Sequence, residues 1–423
     1  MSATTESNPE EQRFLSFPTS CAAPVPPPEE PVRVVPLAVA GVLAIALTAY
    51  VWASHGPKSG VLLILGLGLG LALFHSRFGF TSAWRQLVAV GNGAGVRAHS
   101  LLLGTAATLI ALIVSTGSGL FGSVPKATAG PIGLALFTGA ILFAIGMQLG
   151  GSCASGTLFA VGSGQSTIVF TLFGFIAGSV VYTAAFPVFD GWPSVPGVLL
   201  SDHVGWFGSW AITIAALAVI VLATRFVQKR RTPPPVDVVP TASGFARVLR
   251  GSWPILAGAV VLGVLAGAVF LVSGGIWGVT FAFALWGAKF LQLIGLHPEN
   301  WEFWRTASNA KSLAGSVWTD KTTLTNVGII LGAAVAASLA GAWKLHSSIP
   351  WRTAVAAVLG GVLMGIGARL AGGCNIGAYL GGVSTGSLHG WLWGLFALGG
   401  TWIGLKLRPL FGLGNPVPTD SVC

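Results

Sequence analysis

Ten long runs of apolar residues alternate with short polar stretches along the chain, at about 34–53, 60–74, 99–116, 132–149, 166–187, 207–226, 253–273, 323–342, 350–370 and 388–407. A hydrocarbon core about 30 Å thick takes roughly 20 helical residues to cross, and these runs meet or approach that length. The 60–74 run is short and is expected to tilt or to extend into Phe80. Weaker segments at 78–92, at 276–294 and just after Cys153 and Cys374 read as short re-entrant elements. Such irregular backbone survives in a membrane only where protein or a wet cavity surrounds it. The expected fold is an all-α polytopic membrane protein with about ten transmembrane helices.

Two echoes divide this pattern into halves. Gln148-Leu149-Gly150-Gly151-Ser152-Cys153-Ala154-Ser155-Gly156 matches Arg369-Leu370-Ala371-Gly372-Gly373-Cys374-Asn375-Ile376-Gly377 when the cysteines are superposed. Gly151 then falls on Gly372, Gly156 on Gly377, and Gln148 on Arg369. Phe78-Gly79-Phe80-Thr81-Ser82-Ala83 likewise resembles Trp277-Gly278-Val279-Thr280-Phe281-Ala282. Each repeat holds a span, a short Gly-Thr element, two spans, a cysteine loop and a last span. Four spans return the chain to its starting side, and the single 207–226 run flips it, so the second repeat is expected to be inverted, as in many secondary transporters. The expected division is a disordered cytoplasmic tail at 1–33, an extra N-terminal span at 34–59 and a first repeat at 60–187. A connecting span with a basic linker follows at 188–252, then the inverted repeat at 253–408 and a tail at 409–423.

Composition agrees with a membrane protein. Residues are 53% hydrophobic and 8% charged, against roughly 25% charged in soluble domains. The 60 glycines suit close helix packing and broken helices. All twelve acidic residues stand in the tails or between runs, which leaves carboxylate-based proton or cation coupling little to work with. The segment 227–251 carries Lys229, Arg230, Arg231, Arg247 and Arg250 and is assigned to the cytoplasm by the positive-inside rule. The 188–206 loop has no Lys or Arg and is placed outside. From those anchors Arg77, Arg85, Arg97, Lys344, Arg352, Lys406, Arg408 and both termini fall inside. The outward 274–322 stretch resists, with Lys289, Arg305, Lys311 and Lys321; it is long and expected to be partly re-entrant. The many tryptophans near run ends, such as Trp192, Trp206, Trp301 and Trp351, read mostly as interfacial anchors.

The candidate chemistry centres on Cys153 and Cys374. A free cysteine is often a small buried hydrophobe, but two in matching Gly-Gly-x-Cys settings weigh against mere packing. Three functions use thiols so placed: anion conduction, thiol–disulfide electron transfer and soft-metal transport. Metal transport wants more sulfur or imidazole ligands than stand here, and no Cys-x-x-Cys supplies a local redox partner. A sulfur-bearing anion fits better, with thiols facing sulfur and backbone N–H groups at half-helix starts facing oxygen. Gly151, Gly372 and Gly373 let the backbone come close to it. Thr81, Thr280, Asn375 and Ser155 are candidate donors, though such residues more often serve as packing glue. Arg369 and Lys289 either guide anions or snorkel to the interface; with Gln148 in the first half, that guiding charge is expected on one side only. Cys21 and Cys423 lie in tails and form no disulfide framework.

At these residues the chain resembles the YeeE/YedE family of bacterial inner-membrane transporters, the sulfur-transport domain whose characterised members take up thiosulfate. The likeness rests on Gly-Gly-Ser-Cys153-Ala-Ser-Gly, Gly-Gly-Cys374-Asn-Ile-Gly, Arg77-Phe-Gly-Phe-Thr-Ser-Ala-Trp-Arg85 and Trp277-Gly-Val-Thr-Phe-Ala-Phe-Ala-Leu-Trp-Gly-Ala-Lys289, and covers roughly residues 60–408. It implies that Cys153 and Cys374 line a narrow pathway and touch passing thiosulfate. It also implies a place in the inner membrane and a small cytoplasmic sulfur-carrier protein as partner. One departure stands out: Gly79 occupies the place where family members often have a third pathway cysteine. The expected function is import of thiosulfate or a related sulfur anion without covalent chemistry. The alternatives are a membrane thiol–disulfide electron carrier, or a transporter of another sulfur or selenium compound. Enzymatic activity, cofactors, metals and nucleic acid are not expected.

Overall fold

Inside hydrocarbon, backbone N–H and C=O groups find no water and bond one another along a helix, and each of the apolar runs closes into one. The computed structural model describes residues 30–127, 129–233, 244–345 and 348–417. The tail expected over 1–33 falls, up to residue 29, outside the described residues, as do Cys21, Cys423 and part of the basic linker. The long and site-bearing helices are α1 Val34–His55, α2 Pro57–Ser76, α3 Phe80–Val90, α4 Ala94–Thr116, α5 Leu134–Leu149, α6 Ala154–Gly162 and α7 Ser166–Ala184. They continue as α8 Ser201–Arg231, α9 Ile255–Ser273, α10 Thr280–Leu293, α11 Lys321–Leu339, α12 Trp351–Leu370 and α13 Leu388–Leu407. Among the described residues nine helical stretches are long and apolar enough to cross a membrane. The last run forms α13, 20 residues long, which is not among those nine.

Several helices are interrupted rather than ended. α2 stops at Arg77, whose φ of 47° is left-handed, and α3 starts after extended Gly79. The α5 helix gives way at Gly150–Cys153 to α6. α12 gives way at Ala371–Cys374 to a π-helical turn, Asn375–Leu380, that runs into Gly381–Ser384. The weak sequence segments at 78–92 and 276–294 are thus α3 and α10, and the pieces after each cysteine are short helices.

The helices pack in a pattern that survives an exchange of halves. α12 lies on α7 and α5, while α5 lies on α13 and α12; α11 packs on α2 as α4 packs on α9. α6 meets α11 as the 381–384 helix meets α4, and α10 meets α7 as α3 meets α13. Swapping α2 with α9, α3 with α10, α4 with α11, α5 with α12, α6 with 375–384 and α7 with α13 maps this set onto itself. α1 packs on α11 and α8 packs on α4, so the N-terminal span has the connecting span as its mate. At the centre α5 crosses α12 with backbones almost touching: a Cβ on Gly146 would meet the Gly360 carbonyl oxygen at 2.5 Å. Only glycine permits that approach.

One end of the bundle is tied by a two-residue ribbon, Ile132 with Val195 and Gly133 with Ser194, and by a bridge from Leu199 to Ser387. At the other end Arg33 N–H donates to Ser338 O at 2.9 Å and Arg250 Nε to Leu339 O at 3.2 Å, beside the basic linker. The charged 298–320 stretch is folded, with Trp304 and Leu313 buried against Ala284, Leu285 and Ala288 of α10. Tryptophans divide between two roles. Trp351 is 70% exposed, whereas Trp84, Trp277, Trp304 and Trp393 are buried in the core.

Candidate functional site

Each cysteine caps a short helix. Cys153 precedes α6 and Cys374 precedes the π-helical turn, both in extended backbone. The turn that brings each thiol into place needs glycine: Gly151 has φ +78°, Gly372 φ +68° and Gly373 φ +151°, values that L side chains rarely adopt. Both side chains are buried and both thiols are free.

The two sulfurs meet donors of the same kind. The amides of Phe80, Gly156 and Cys153 itself lie near the Cys153 sulfur, with Ser155 Oγ at 3.7 Å. Two helix starts, α3 and α6, therefore converge on this thiol. The amides of Ile376 and Gly377 lie near Cys374, which is within electrostatic reach of Cys153 and of Arg369. Helix N-termini carry unsatisfied N–H groups and partial positive charge, and so attract anions.

Around the thiols, Thr280 Oγ1 accepts a 2.6 Å hydrogen bond from Arg369 Nη2, and the guanidinium lies 6.0 Å from the Phe281 ring. Arg369 is therefore drawn inward to α10 rather than standing at an interface. Among the described residues Thr81 Oγ1 is buried without a partner, and so are both amide atoms of Asn375. Buried polar atoms left unpaired are costly. Beside them Tyr379 packs on Trp84 and Trp393 at ring separations of 5.6 and 6.2 Å. His389 holds the loop before Cys374, its ring nitrogens 2.9 Å from Pro131 O and 3.0 Å from Ala371 O. Lys289 is not brought in. It lies partly buried in α10, more than a turn before its end, nine residues and about 13 Å of helix beyond Thr280.

Sequence reasoning took Gln148 as a neutral stand-in for arginine and so expected charge on one side alone. The contacts differ. Arg85 Nε donates to Gln148 Oε1 at 3.0 Å, and Arg408 Nη1 donates to Gln148 O at 2.6 Å. These partners lie 63 and 260 residues away in the chain, beyond the reach of any local motif. His99 was also missed; its ring stacks on Phe80 at 4.2 Å, behind the α3 start. The assembled set is rich in N–H, O–H, S–H and guanidinium donors. Among the described residues no cluster of His, Cys, Asp and Glu fits a metal. Such a surround suits an anion with a soft end.

Comparison with known proteins agrees with that chemistry. Residues 75–403 match the family model for sulphur transport. The chain is 28% identical over 363 residues to the thiosulfate transporter TsuA of Spirochaeta thermophila, covering 80% of this chain and 96% of that protein. It is 25% identical over 349 residues to the Escherichia coli thiosulfate transporter TsuA, covering 80% of this chain and 92% of that one. The Escherichia coli probable transporter YedE is 33% identical over 172 residues, a match spanning 40% of this chain and 41% of YedE.

Proposed function

Since the chain belongs to the sulphur transport family, we propose that it imports thiosulfate or a closely related sulfur anion across the inner membrane, past the thiols of Cys153 and Cys374 and without bonding to the substrate. One observation carries the reading: two buried thiols, free of disulfides, each precede a short helix, amid amide and hydroxyl donors with no carboxylate beside them among the described residues. A dianion of sulfur and oxygen asks for such a surround. Its oxygens take hydrogen bonds from helix-start amides, from Thr81, Ser155 and Asn375, and from Arg369 through its unpartnered Nε. Its terminal sulfur, large and soft, lies against polarizable thiols. Gly151, Gly372 and Gly373 keep side chains out of the passage while turning the cysteines into it.

Orientation belongs to the same proposal. The exchange-symmetric packing supports an inverted repeat, with the thiols of the two halves near the centre and basic ends facing the cytoplasm. A small cytoplasmic sulfur-carrier protein receiving the anion completes the proposed route. The deciding experiment is growth of a host lacking sulfate uptake on thiosulfate as sole sulfur source. Expression of the protein should restore growth, and restoration by a Cys153→Ala, Cys374→Ala double variant would refute the thiol pathway. Redox titration tests the competing reading of an electron carrier, which requires a reversible Cys153–Cys374 disulfide.

A further inference from the structure

Five residues before Cys374 stands a cation, Arg369, and five before Cys153 stands neutral Gln148. Both side chains reach a threonine in the first turn of the neighbouring short helix. Arg369 Nη2 donates to Thr280 Oγ1 at 2.6 Å, and Gln148 Nε2 donates to Thr81 O at 3.4 Å. The first half then recovers the absent charge one helical turn past Thr81, where Arg85 donates from Nε to Gln148 Oε1 at 3.0 Å. With Thr81 laid on Thr280, the place of Arg85 in α10 is taken by Ala284. Each half thus holds one guanidinium beside its thiol loop, on a different element.

Arg85 is also short of partners. The bond to Gln148 is its one hydrogen bond among the described residues, and no carboxylate pairs with it there. Its charged neighbour is another cation, Arg408. All three nitrogens of Arg408 are engaged, with Gln148 O at 2.6 Å, Gly414 O at 2.6 Å and Asn415 Oδ1 at 2.8 Å. It therefore fixes Gln148 and adds positive field. Two guanidiniums held together repel, and removing them from water without an opposite charge is costly. The terminal nitrogens of Arg85 remain to take an anion, in the planar fork that matches an oxyanion. Their position is on the way out. α3 runs from Phe80, beside the Cys153 sulfur, to Val90, and a Cβ on the next residue, Gly91, would meet Arg231 Cδ at 2.6 Å. Arg231 ends α8, within the basic linker segment.

We propose that Arg85, aimed by Gln148 and backed by Arg408, is a second anion station on the linker side of the thiols, receiving the oxygen end of the sulfur anion as it leaves Cys153. The ligand rests on the thiosulfate reading above; the geometry does not. The test uses the full chain in vesicles of known orientation, exchanging labelled thiosulfate, with half-saturation measured separately from each face. Arg85→Gln should raise the linker-face value about tenfold, the size of one lost charge-assisted contact, and leave the other face within about twofold. Arg369→Gln should do the reverse. Gln148→Glu keeps the acceptor for Arg85 Nε but sets a carboxylate on the guanidinium, so it should reproduce the Arg85→Gln loss in a protein that still folds. Arg85→Lys, charged but without the fork, should recover only part. An unchanged linker-face value in Arg85→Gln, or equal shifts on both faces, overturns the station. Should wild-type vesicles exchange no thiosulfate, the functional reading fails. Equilibrium binding of thiosulfate or sulfate to the solubilised protein then decides this one, because Arg85→Gln either weakens it about tenfold or the station is refuted.

Discussion

A thiol replaced by alanine loses its soft atom and little volume, which a site lined by glycine absorbs at small cost. Cys153→Ala and Cys374→Ala should therefore each reach the membrane in normal amount yet fail to support growth on thiosulfate. Serine is a sharper probe, since it keeps the size and an O–H donor. It should rescue poorly, because a hydroxyl holds water more tightly than a thiol and must shed it in a narrow dry passage. Growth of either serine variant at the wild-type rate would show that the position needs a donor and not a sulfur. At this scale the sequence was legible only where it repeats itself. Cys153 and Cys374 declared themselves because Gly-x-Cys-x-x-Gly stands around both. Arg85 did not, since it has no counterpart in α10 and its partner Gln148 lies 63 residues away. Lys289 shares the short motif-bearing helix with Thr280 but stands nine residues further along it.

Helices were easier to read than the breaks between them. Run lengths marked α1, α9 and α12 closely, because a membrane-crossing segment must be apolar nearly throughout. The breaks depend on single backbone angles, and these order the glycines in a way that can be measured. At Gly151 and Gly372 an added Cβ meets nothing closer than 3.9 and 3.5 Å, so alanine adds chiefly the left-handed strain of roughly 1–2 kcal/mol. At Gly373 the φ of +151° comes with a clash, the Cβ falling 2.7 Å from the Ala378 amide nitrogen. Gly373→Ala should therefore lower the melting temperature of the purified protein more than Gly372→Ala or Gly151→Ala. It should also remove uptake, since relieving the clash moves the start of the helix that presents Cys374. Equal melting temperatures for all three would mean that the loop rearranges freely, and that the cysteines are not held by their turns.

For the whole molecule the packing pattern makes a stronger statement than the motifs. α1, expected as an extra span, lies on α11 as α8 lies on α4. With α13 counted beside the nine candidate spans, each half has five: α1, α2, α4, α5 and α7, against α8, α9, α11, α12 and α13. An odd count forces the second half to start on the opposite side from the first, so inversion follows from arithmetic once all ten cross. Charge gives the orientation proposed above. The end of the bundle that gathers Arg33, Arg231, Arg247, Arg250 and Lys344 is the one expected in the cytoplasm, and the ribbon joining 132–133 to 194–195 is expected outside. Reporter tags before α1, at 240 and after α13 should all read cytoplasmic, and a tag at 195 should read external. Position 195 is the informative one, because only α8 separates it from 240. Should 195 and 240 report the same side, α8 does not cross, the halves have unequal counts, and two thiols approached from opposite faces cannot form one passage.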